Sequence, residues 1–336
     1  MTTGVIPSSY ETKLNLIETE KAIKAVKAVF KRELSESLHL MEVSAPLIVK
    51  NGNGINDDLN GVERIVTFDA LDADDAQLEI VQSLAKWKRM ALARFGFKQD
   101  EGLYANMNAI RRDEKQDNLH SIYVDQWDWE KVIAYDQRTL QKLKDEARSI
   151  YKAIKSTEAI IHQAYPELEP VLPENIHFIT SQELENLYPE LPPKEREDRI
   201  AKQYGAVFIM KIGSRLLSGE KHDGRAPDYD DWNLNGDIIL WYPVLERAFE
   251  VSSMGIRVDK NSLLEQLKQS GAEDRTSLAF HRSILDESLP FSIGGGIGQS
   301  RLCMFILKKA HIGEVQASVW NEDILRECKE RNIQLL

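Results

Sequence analysis

Apolar residues recur at intervals of three or four along two long stretches of the chain, which predicts two long amphipathic helices. The first stretch covers residues 12–38, and the second covers about residues 137–163. Shorter stretches with the same period predict further helices at 84–95, 181–188 and 194–204.

Helix-capping residues mark two more boundaries. Thr180 and Glu183 have the spacing of a capping box, in which each side chain binds a backbone N–H group at the start of the helix. Asp259 is typical of the residue before a helix, and Gly271 is typical of the residue after one. We therefore expect one helix to begin after Thr180 and another to lie between Asp259 and Gly271.

Strand-like apolar runs lie between the helices. They are Met41–Val49, Ile65–Phe68, Gln77–Val81, Leu119–Glu130, Ala206–Ile212, Ile238–Trp241, Ala248–Val251 and Val315–Val319. Several follow one another through short turns, and no regular crossover helix separates them, which favours antiparallel pairing. The predicted fold class is therefore α+β, with a mainly antiparallel β-sheet flanked by helices. Because the composition shifts nowhere along the chain, residues 1–336 are expected to form a single domain.

Charge and composition argue against several classes of protein. The 336 residues carry 43 Lys and Arg against 54 Asp and Glu, which gives a formal net charge of −11. Such a chain is not expected to bind nucleic acid, which needs a basic surface. It has no apolar run long enough to cross a membrane, so no membrane partner is expected. Its two cysteines, Cys303 and Cys328, offer no disulfide framework and no metal motif, which predicts a cytoplasmic protein.

The most informative predicted strand covers residues 121–130. Because side chains alternate between the two faces of a strand, Gln126, Asp128 and Glu130 share one face, and two tryptophans share the other. The tryptophans indicate that their face is buried. The polar row is either a solvated edge or, if it is also covered, a set of side chains that needs partners. The ammonium group of a ligand is one such partner.

Two further segments carry residue types that suit a phosphate ligand. Arg111 precedes a short acidic run, and an arginine near a turn can hold a phosphate through two N–H groups. The glycines of residues 294–298 let a backbone approach a ligand closely, and the apolar run Leu302–Leu307 predicts a helix after them. Their spacing fits neither a dinucleotide fingerprint nor a Walker loop. Each segment alone is also consistent with a flexible turn, and the polar stretch 214–236 is expected to be flexible.

Together, these segments resemble the sequence motifs of the class II aminoacyl-tRNA synthetases. Arg111 with its nearby acids resembles motif two, and Gly294–Arg301 resembles motif three, which opens a late helix. The Glu42-Val43-x-x-Pro46 segment after the first long helix resembles motif one, which forms the dimer contact in that superfamily. The fold that this resemblance implies is a class II synthetase-like catalytic core.

Other matches resemble the aspartate branch of the superfamily. They are Ser83-x-x-x-x-Lys88, Gln126-x-Asp128-x-Glu130, Asp237 and Phe249–Arg257. Three longer strings resemble the ammonia-dependent asparagine synthetases (asparagine synthetase A, or aspartate–ammonia ligase): Ser83–Arg89, Tyr123–Glu130 and Arg225–Trp232. The resemblance implies that the chain makes asparagine from aspartate, ATP and ammonia through a β-aspartyl-AMP intermediate. It also implies release of AMP and pyrophosphate, Mg²⁺ bound with ATP, and a homodimer.

The resemblance implies an ATP site with three cations and two acids. Arg111 matches the arginine that holds the α-phosphate, and Arg301 matches the one at the polyphosphate tail and the adenine face. Arg225 is a further cation suited to the pyrophosphate side. Asp237 and Glu250 match the acids that hold Mg²⁺ against ATP, and one or two carboxylates with phosphate oxygens are the usual ligands of this ion.

The resemblance also implies an aspartate site. Asp128 matches the partner of the substrate ammonium group, with Ser83 and Ser253 as neutral partners. Lys88 and Arg257 suit the two carboxylates. The sequence leaves open which cation takes which carboxylate, because this reaction must present the β-carboxylate of aspartate, whereas a synthetase activates the α-carboxylate.

Two residues are implied to act in the ammonia step. Asp57 matches the acid of an Asp-x-Leu-x-Gly stretch, and its carboxylate could attract ammonium and accept a proton from it. Gln126 could then orient the incoming nitrogen. The residues around Asp57 also favour a local Asx-turn without a catalytic role. The chain departs from the synthetase pattern at Ala85, where a glutamine is usual, which removes a donor from the amino-acid pocket.

Other functions are less consistent with the sequence. An aspartyl- or asparaginyl-tRNA synthetase carries an additional anticodon-binding β-barrel, and the first helix is expected to start too near Met1 to leave room for one. A non-catalytic paralogue should have lost Arg111, Glu250 or Arg301, and all three are present. A glutamine-hydrolysing synthetase is disfavoured because neither cysteine is N-terminal.

Overall fold

The computed structural model describes residues 6–52, 54–56, 59 and 63–336. The helices in this part of the chain are α1 (Leu16–Leu38), α2 (Ala85–Phe95), α3 (Leu140–Ala164), α4 (Ser181–Leu187), α5 (Pro193–Tyr204), α6 (Lys260–Ser270), α7 (Ala279–Leu285), α8 (Gln299–Ile306) and α9 (Glu322–Glu330). The strands are β1 (Leu40–Glu42), β2 (Ile48–Lys50), β3 (Thr67–Phe68), β4 (Leu78–Ile80), β5 (Gly102–Ile110), β6 (Tyr123–Val132), β7 (His177–Thr180), β8 (Ala206–Met210), β9 (Asp230–Tyr242), β10 (Arg247–Arg257) and β11 (Ser292–Gly298).

One large sheet organises the molecule. Its strand order is β1-β5-β6-β11-β10-β9-β8-β7. The outermost pairs, β1 with β5 and β7 with β8, are parallel. The pairs between them are antiparallel. The predicted α+β class, with a mainly antiparallel sheet flanked by helices, is therefore confirmed. Strands β2, β4 and β3 form a separate small antiparallel sheet.

The predicted helix boundaries agree with observed caps. Thr180 and Glu183 form the capping box of α4. The Asp259 side chain accepts hydrogen bonds from two backbone N–H groups at the start of α6. Gly271 ends α6 with a φ of 63°, in the left-handed region where glycine is favoured. Among the helices described, none is both long and apolar enough to cross a membrane.

One strand prediction is wrong, and two segments for which a turn or a flexible stretch was considered contain strand residues. Residues 294–298 lie inside strand β11 instead of a flexible turn, and β11 is one of the central strands of the large sheet. Val315–Val319 forms no strand. The polar stretch 214–236 was expected to be flexible, but its end from Asp230 onward belongs to β9 and is mostly buried. Its carboxylates are paired with cations from other elements, which local polarity does not reveal.

Helices α1, α3 and α8 cover one face of the large sheet and form the main apolar core with it. Trp127 and Trp129 of β6 lie in this core, each with at most 1% of its surface exposed. The Trp127 ring packs against Phe30 of α1, with 4.8 Å between ring centroids. The tryptophan face of the predicted strand is thus buried, as expected.

The other face of the sheet is covered only at its two sides. Helix α2 packs near β5 and β6, and its neighbour Leu84 joins a small cluster with Met107. Helices α4 and α5 pack over β7, β8 and β9, where Ile200 of α5 meets Ile209 and Ile239. Between these two groups, the polar row of β6 and the neighbouring parts of β11 and β10 are left facing a cavity.

Candidate active site

The cavity on the open face of the sheet has a volume of about 530 Å³. Ten of the twelve residues predicted for the site line it: Ser83, Lys88, Arg111, Gln126, Asp128, Arg225, Glu250, Ser253, Arg257 and Arg301. They come from two helices, two strands and three connecting segments, separated by up to 218 positions in the chain (Ser83 to Arg301). The fold therefore brings the predicted residues into one space.

The glycines of β11 make the floor of this cavity. Gly294, Gly296 and Gly298 pair in register with Glu130, Asp128 and Gln126 of β6. A Cβ atom on Gly294 would lie 2.0 Å from a Glu130 carboxylate oxygen, and one on Gly296 would lie 2.6 Å from the Gln126 amide oxygen. The polar side chains of β6 lie across the space that these glycines leave empty, so larger residues at 294 and 296 would displace them.

A buried ion pair joins α2 to the floor. The Nζ atom of Lys88 donates to Oδ1 of Asp128 and to the carbonyl oxygen of Gly295, each at 2.8 Å. Burial lowers the pKa of Lys88, and Arg257 lowers it further, although Asp128 and Glu130 oppose this. The second carboxylate oxygen of Asp128 is buried and has no hydrogen-bond partner among the described residues. Asp128 therefore keeps one acceptor for a ligand, and its contact with a substrate ammonium group stays a prediction.

Arg257 forms the centre of a second buried charge group. Its Nε and Nη2 atoms donate to the Glu130 carboxylate at 2.6–3.0 Å, and its Nη1 atom is paired with Asp230. Burial opposes the charge of Arg257, but Glu130 and Asp230 outweigh it and raise its pKa. These contacts engage three of the five N–H groups of a guanidinium, which leaves two for a substrate carboxylate. The role predicted for Arg257 remains a prediction.

A register shift brings Glu250 and Ser253 to the same cavity. In a regular strand, residues three positions apart point to opposite faces. The pairing of β10 with β9 shifts by one residue between Glu250 and Ser252, in the way that a β-bulge does. Both Glu250 and Ser253 therefore line the cavity.

Acids and cations alternate at one side of the cavity. Asp237 pairs with Arg225, and the Nη1 atom of Arg301 donates to the backbone oxygen of Glu250 at 3.1 Å. Burial and the nearby Glu250 raise the pKa of Asp237. Burial opposes the charge of Glu250, but Arg301, together with Lys194 and Arg225, lowers its pKa. Asp237 lies behind Arg225 and does not line the cavity itself.

Arg111 differs from the other arginines of the site. Its backbone N–H donates to Ile122 at the end of the β5–β6 pair, which fixes its position at the cavity wall. It forms no ion pair with any described residue, and its buried Nε atom has no hydrogen-bond partner among them. A partly buried guanidinium without a counter-charge is suited to bind an anionic ligand.

Three predicted site residues remain. The structure describes Ser83 and Gln126 but not Asp57. The Oγ atom of Ser83 accepts from the backbone N–H of Ala85 at 3.1 Å, at the start of α2. The amide of Gln126 lies over Gly296. Asp57 lies outside the described residues. Asn56 before it is anchored through a hydrogen bond from the Gln82 backbone N–H at 2.9 Å, and Leu59 after it lines the cavity.

The structure also shows charged residues that sequence reasoning did not assign to the site. Glu130 and Asp230 hold Arg257, and Lys194 and Asp223 line the cavity near Arg225. Glu130 and Asp230 belong to strings that the sequence had singled out, so their motif was a usable signal. Lys194 lies in an ordinary charged helix with no motif around it.

The acids at this side of the cavity fit a divalent cation that is shared with a ligand. Asp237 has one buried oxygen without a hydrogen-bond partner among the described residues, and Glu250 lines the cavity. Mg²⁺ prefers oxygen ligands and usually takes one or two carboxylates together with phosphate oxygens and water. No group of three or more ligating side chains is found in the described part of the chain, so a ligand would have to complete the coordination.

Solved structures with the same architecture are aminoacyl-tRNA synthetases. Asparaginyl-tRNA synthetase from Pyrococcus horikoshii, complexed with asparaginyl-adenylate, matches with a TM-score of 0.64 at 15% identity. The match covers 90% of this chain and 70% of that one. The Entamoeba histolytica enzyme, also with asparaginyl-adenylate, matches with a TM-score of 0.61 at 14% identity, over 90% of this chain and 66% of that chain. This likeness shows a fold of the class II aminoacyl-tRNA synthetase type.

Sequence comparison identifies the family within that fold. The family model described as aspartate-ammonia ligase matches residues 17–332. The aspartate–ammonia ligase of Clostridium perfringens (strain SM101) is 59% identical over 331 residues, which cover 98% of each chain. That of Ruminiclostridium cellulolyticum is 58% identical over 336 residues, which cover 100% of each chain. The chain belongs to the aspartate–ammonia ligase family of enzymes, and the resemblance to asparagine synthetase A is confirmed.

Proposed function

We propose that the protein catalyses the ATP-dependent amidation of L-aspartate by ammonia to L-asparagine, through a β-aspartyl-AMP intermediate with release of AMP and pyrophosphate. The observation that carries this proposal is the composition of this cavity. It holds the Lys88–Asp128 ion pair, which suits an amino acid, beside Arg111, Arg225 and Arg301, which suit a polyphosphate. A carboxylate and a nucleotide could therefore meet there without leaving the enzyme.

Aspartate would bind against α2 and the floor. Its ammonium group would lie at the Asp128 oxygen that has no partner among the described residues, with Ser83 and Ser253 nearby. Its carboxylates would accept hydrogen bonds from the N–H groups of Lys88 and Arg257 that the ion pairs with Asp128, Glu130 and Asp230 do not use. A zwitterionic substrate supplies both signs of charge, so it can satisfy the acid and the cations at the same time.

Adenylation would take place where Arg111 meets the floor. The β-carboxylate of aspartate attacks the α-phosphate of ATP, and pyrophosphate leaves. Negative charge builds up on the phosphate oxygens during this step, and a guanidinium positioned beforehand stabilises it without reorganising water. Arg111 suits this role because no described carboxylate neutralises it.

Asp237 and Glu250 would hold Mg²⁺ against the phosphates of ATP. The ion would supply charge neutralisation for the phosphate oxygens. The proposal assigns Arg225 and Arg301 to the same end of ATP. Arg225 is already paired with Asp237, and Arg301 with the backbone of Glu250, so the protein itself positions both cations.

The second half-reaction would use Asp57 and Gln126. Ammonium carries the proton that must be lost before the nitrogen can attack the β-carbonyl carbon, and a carboxylate can accept that proton. Leu59, two positions after Asp57, lines the cavity, and Asn56 before it is held by the Gln82 backbone, which supports placing Asp57 in this step. Gln126 lies on the floor, where its amide can orient the nitrogen.

We also propose a homodimer and a cytoplasmic location. Exposed apolar residues flank the segment that resembles motif one, namely Met41, Leu47 and Ile48, and exposed Phe95 lines a groove together with Met41. A two-fold interface would bury the same patch on both subunits. The location rests on Cys303 and Cys328, which are both unpaired. Sedimentation that finds only monomer at micromolar concentration would count against the dimer.

The direct test of the proposed function is a product assay. The purified protein is incubated with ATP, Mg²⁺ and aspartate, and with either ammonium or glutamine as the nitrogen donor. We expect asparagine, AMP and pyrophosphate with ammonium, and little asparagine with glutamine. Formation of ADP and phosphate would contradict the adenylate mechanism, because these products indicate an acyl-phosphate intermediate.

A further inference from the structure

Lys194 lines the cavity, although it belongs to none of the matched motifs. It lies in the first turn of α5, on the far side of the cavity from α2. Its Nζ atom is 3.2 Å from both carboxylate oxygens of Glu197 and 3.4 Å from Oδ2 of Asp223. Its side chain is 61% exposed, so the ammonium group is at the surface of the cavity and not fixed in the core.

Asp223 connects Lys194 to the cations already assigned to ATP. Its Oδ2 atom lies 3.8 Å from Nη1 of Arg225, so one carboxylate stands between the two cations. Partial desolvation opposes the charge of Lys194, but Glu197, Glu250 and Asp223 outweigh it and raise its pKa. Lys194 therefore stays protonated in the neutral range, and its charge lies beside Asp223, as does that of Arg225.

The acids that Lys194 contacts also have other polar partners. Glu197 also contacts the buried Nε2 atom of His222 at 3.1 Å, and Asp223 also has Arg225. A lysine–glutamate pair three residues apart contributes little free energy when its lysine is largely exposed, as Lys194 is. The long flexible side chain of Lys194 can therefore move from these acids to a more highly charged anion at small cost.

We propose that Lys194 binds the β- and γ-phosphates of ATP and the pyrophosphate that is released. The proposal rests on the proposed function, in which this cavity binds ATP. Arg111 lies apart from this group, at the wall next to the β5–β6 pair, and suits the α-phosphate. Lys194 and Arg225 flank Asp223 and would together contact the part of ATP that leaves. Helix α5 thus adds a pyrophosphate-binding cation to those of the motifs.

The test compares three ligands on matched variants of the full-length protein. Lys194→Met removes the charge and keeps much of the side-chain volume. Lys202→Met makes the same change on the same helix, at an exposed lysine that contacts the Trp241 ring and does not line the cavity. Binding of ATP, pyrophosphate and AMP is measured by titration calorimetry with Mg²⁺ and without aspartate, so that no turnover is needed.

We expect Lys194→Met to weaken ATP and pyrophosphate binding roughly 5- to 30-fold, the effect of losing one exposed charge-assisted contact. AMP lacks the β- and γ-phosphates, so its affinity should stay within about twofold, as should all three affinities in Lys202→Met. Lys194→Arg keeps the charge and should retain most of the ATP affinity. Unchanged ATP binding in Lys194→Met, or an equal loss for AMP, would overturn the inference and leave the proposed function standing. Failure of the unaltered protein to bind ATP would overturn both.

Discussion

The Nζ atom of Lys88 lies 2.8 Å from Oδ1 of Asp128, and both side chains are at most 5% exposed. Removing one partner of such a pair leaves an uncompensated buried charge, which is costly. The pair is therefore more than a surface contact. It holds α2 against the floor of the cavity and presents the second oxygen of Asp128 to a ligand.

Asp128→Asn should weaken aspartate binding, because it removes the carboxylate that we propose binds the substrate ammonium group. We expect the KM for aspartate to rise roughly 10- to 100-fold, the range for a lost hydrogen bond to a charged group. Initial-rate kinetics at saturating ATP and ammonium measure this. Asp145→Asn, at an exposed position on α3, is the matched control. An unchanged KM in Asp128→Asn would contradict the assigned role.

Arg111→Lys should slow turnover strongly, because lysine keeps the charge but loses the planar pair of N–H groups. We expect kcat to fall by about 10²-fold, the scale of losing one donor in the transition state. Arg112→Lys, at the exposed neighbouring position, should leave kcat nearly unchanged. If the two variants exchanged these effects, the phosphate cation would be Arg112.

Asp57→Asn should separate the two half-reactions. The asparagine side chain introduced at position 57 keeps the shape of the aspartate side chain and a hydrogen-bonding group, but it cannot accept a proton from ammonium. We expect aspartate-dependent exchange of pyrophosphate into ATP to continue, because it reports adenylation alone, while asparagine formation falls far more. Equal loss of both activities would show that Asp57 serves aspartate binding or activation instead.

Gly296→Ala should damage activity more than stability. The added Cβ atom would lie 2.6 Å from the Gln126 amide oxygen, the end of a flexible side chain that can move away. Since small displacements of site residues are costly to catalysis, kcat/KM for aspartate should fall by roughly 10²-fold while the thermal midpoint changes little.

Gly294→Ala is the companion variant and should lower stability as well as activity. Its Cβ atom would meet the Glu130 carboxylate at 2.0 Å and disturb the buried Arg257 pair. We expect it to lower the free energy of unfolding by about 3 kcal/mol, as when a buried ion pair is broken. Equal thermal midpoints for the two alanine variants would show that the strand accommodates both residues.

His311 should make the fold sensitive to acid. It is 2% exposed, and its Nδ1 atom accepts a hydrogen bond from the Gly313 backbone N–H at 3.0 Å. Burial lowers the pKa of His311 to about 4. The unfolded chain, with a histidine pKa of about 6.5, then binds more protons than the folded one between these values, so stability falls as the pH falls from 6.5 towards 4.

The expected contribution of His311 is a loss of about 2 kcal/mol in unfolding free energy between pH 7 and pH 5. Urea unfolding at both pH values measures it. His311→Asn keeps an acceptor for Gly313 but does not titrate, so its loss over this interval should be smaller by that amount. Equal losses in the two proteins would mean that folding does not lower the pKa of His311.

Local sequence patterns were enough for most of the predicted helices and for the two faces of β6, but not for strands β5, β7 and β11. The alternation of β6 separates Gln126, Asp128 and Glu130 from the tryptophans, because the strand period of two depends only on backbone geometry. Capping residues such as Thr180 and Asp259 act within one helical turn, so their effect is visible in a short window. Resemblance to known motifs then supplied ten residues that line the cavity, and the tertiary structure brings these ten together.

The partners of those residues depend on which strands are neighbours and in which register, and local sequence does not contain this information. Glycines favour turns on local grounds, yet Gly294 and Gly296 lie in a central strand because the side chains of β6 need the space above them. The register shift beside Glu250 moves that acid to the face of Ser253. Lys194 reaches the cavity because α5 packs over β8–β10, a contact set by apolar residues on the helix face turned away from the charge.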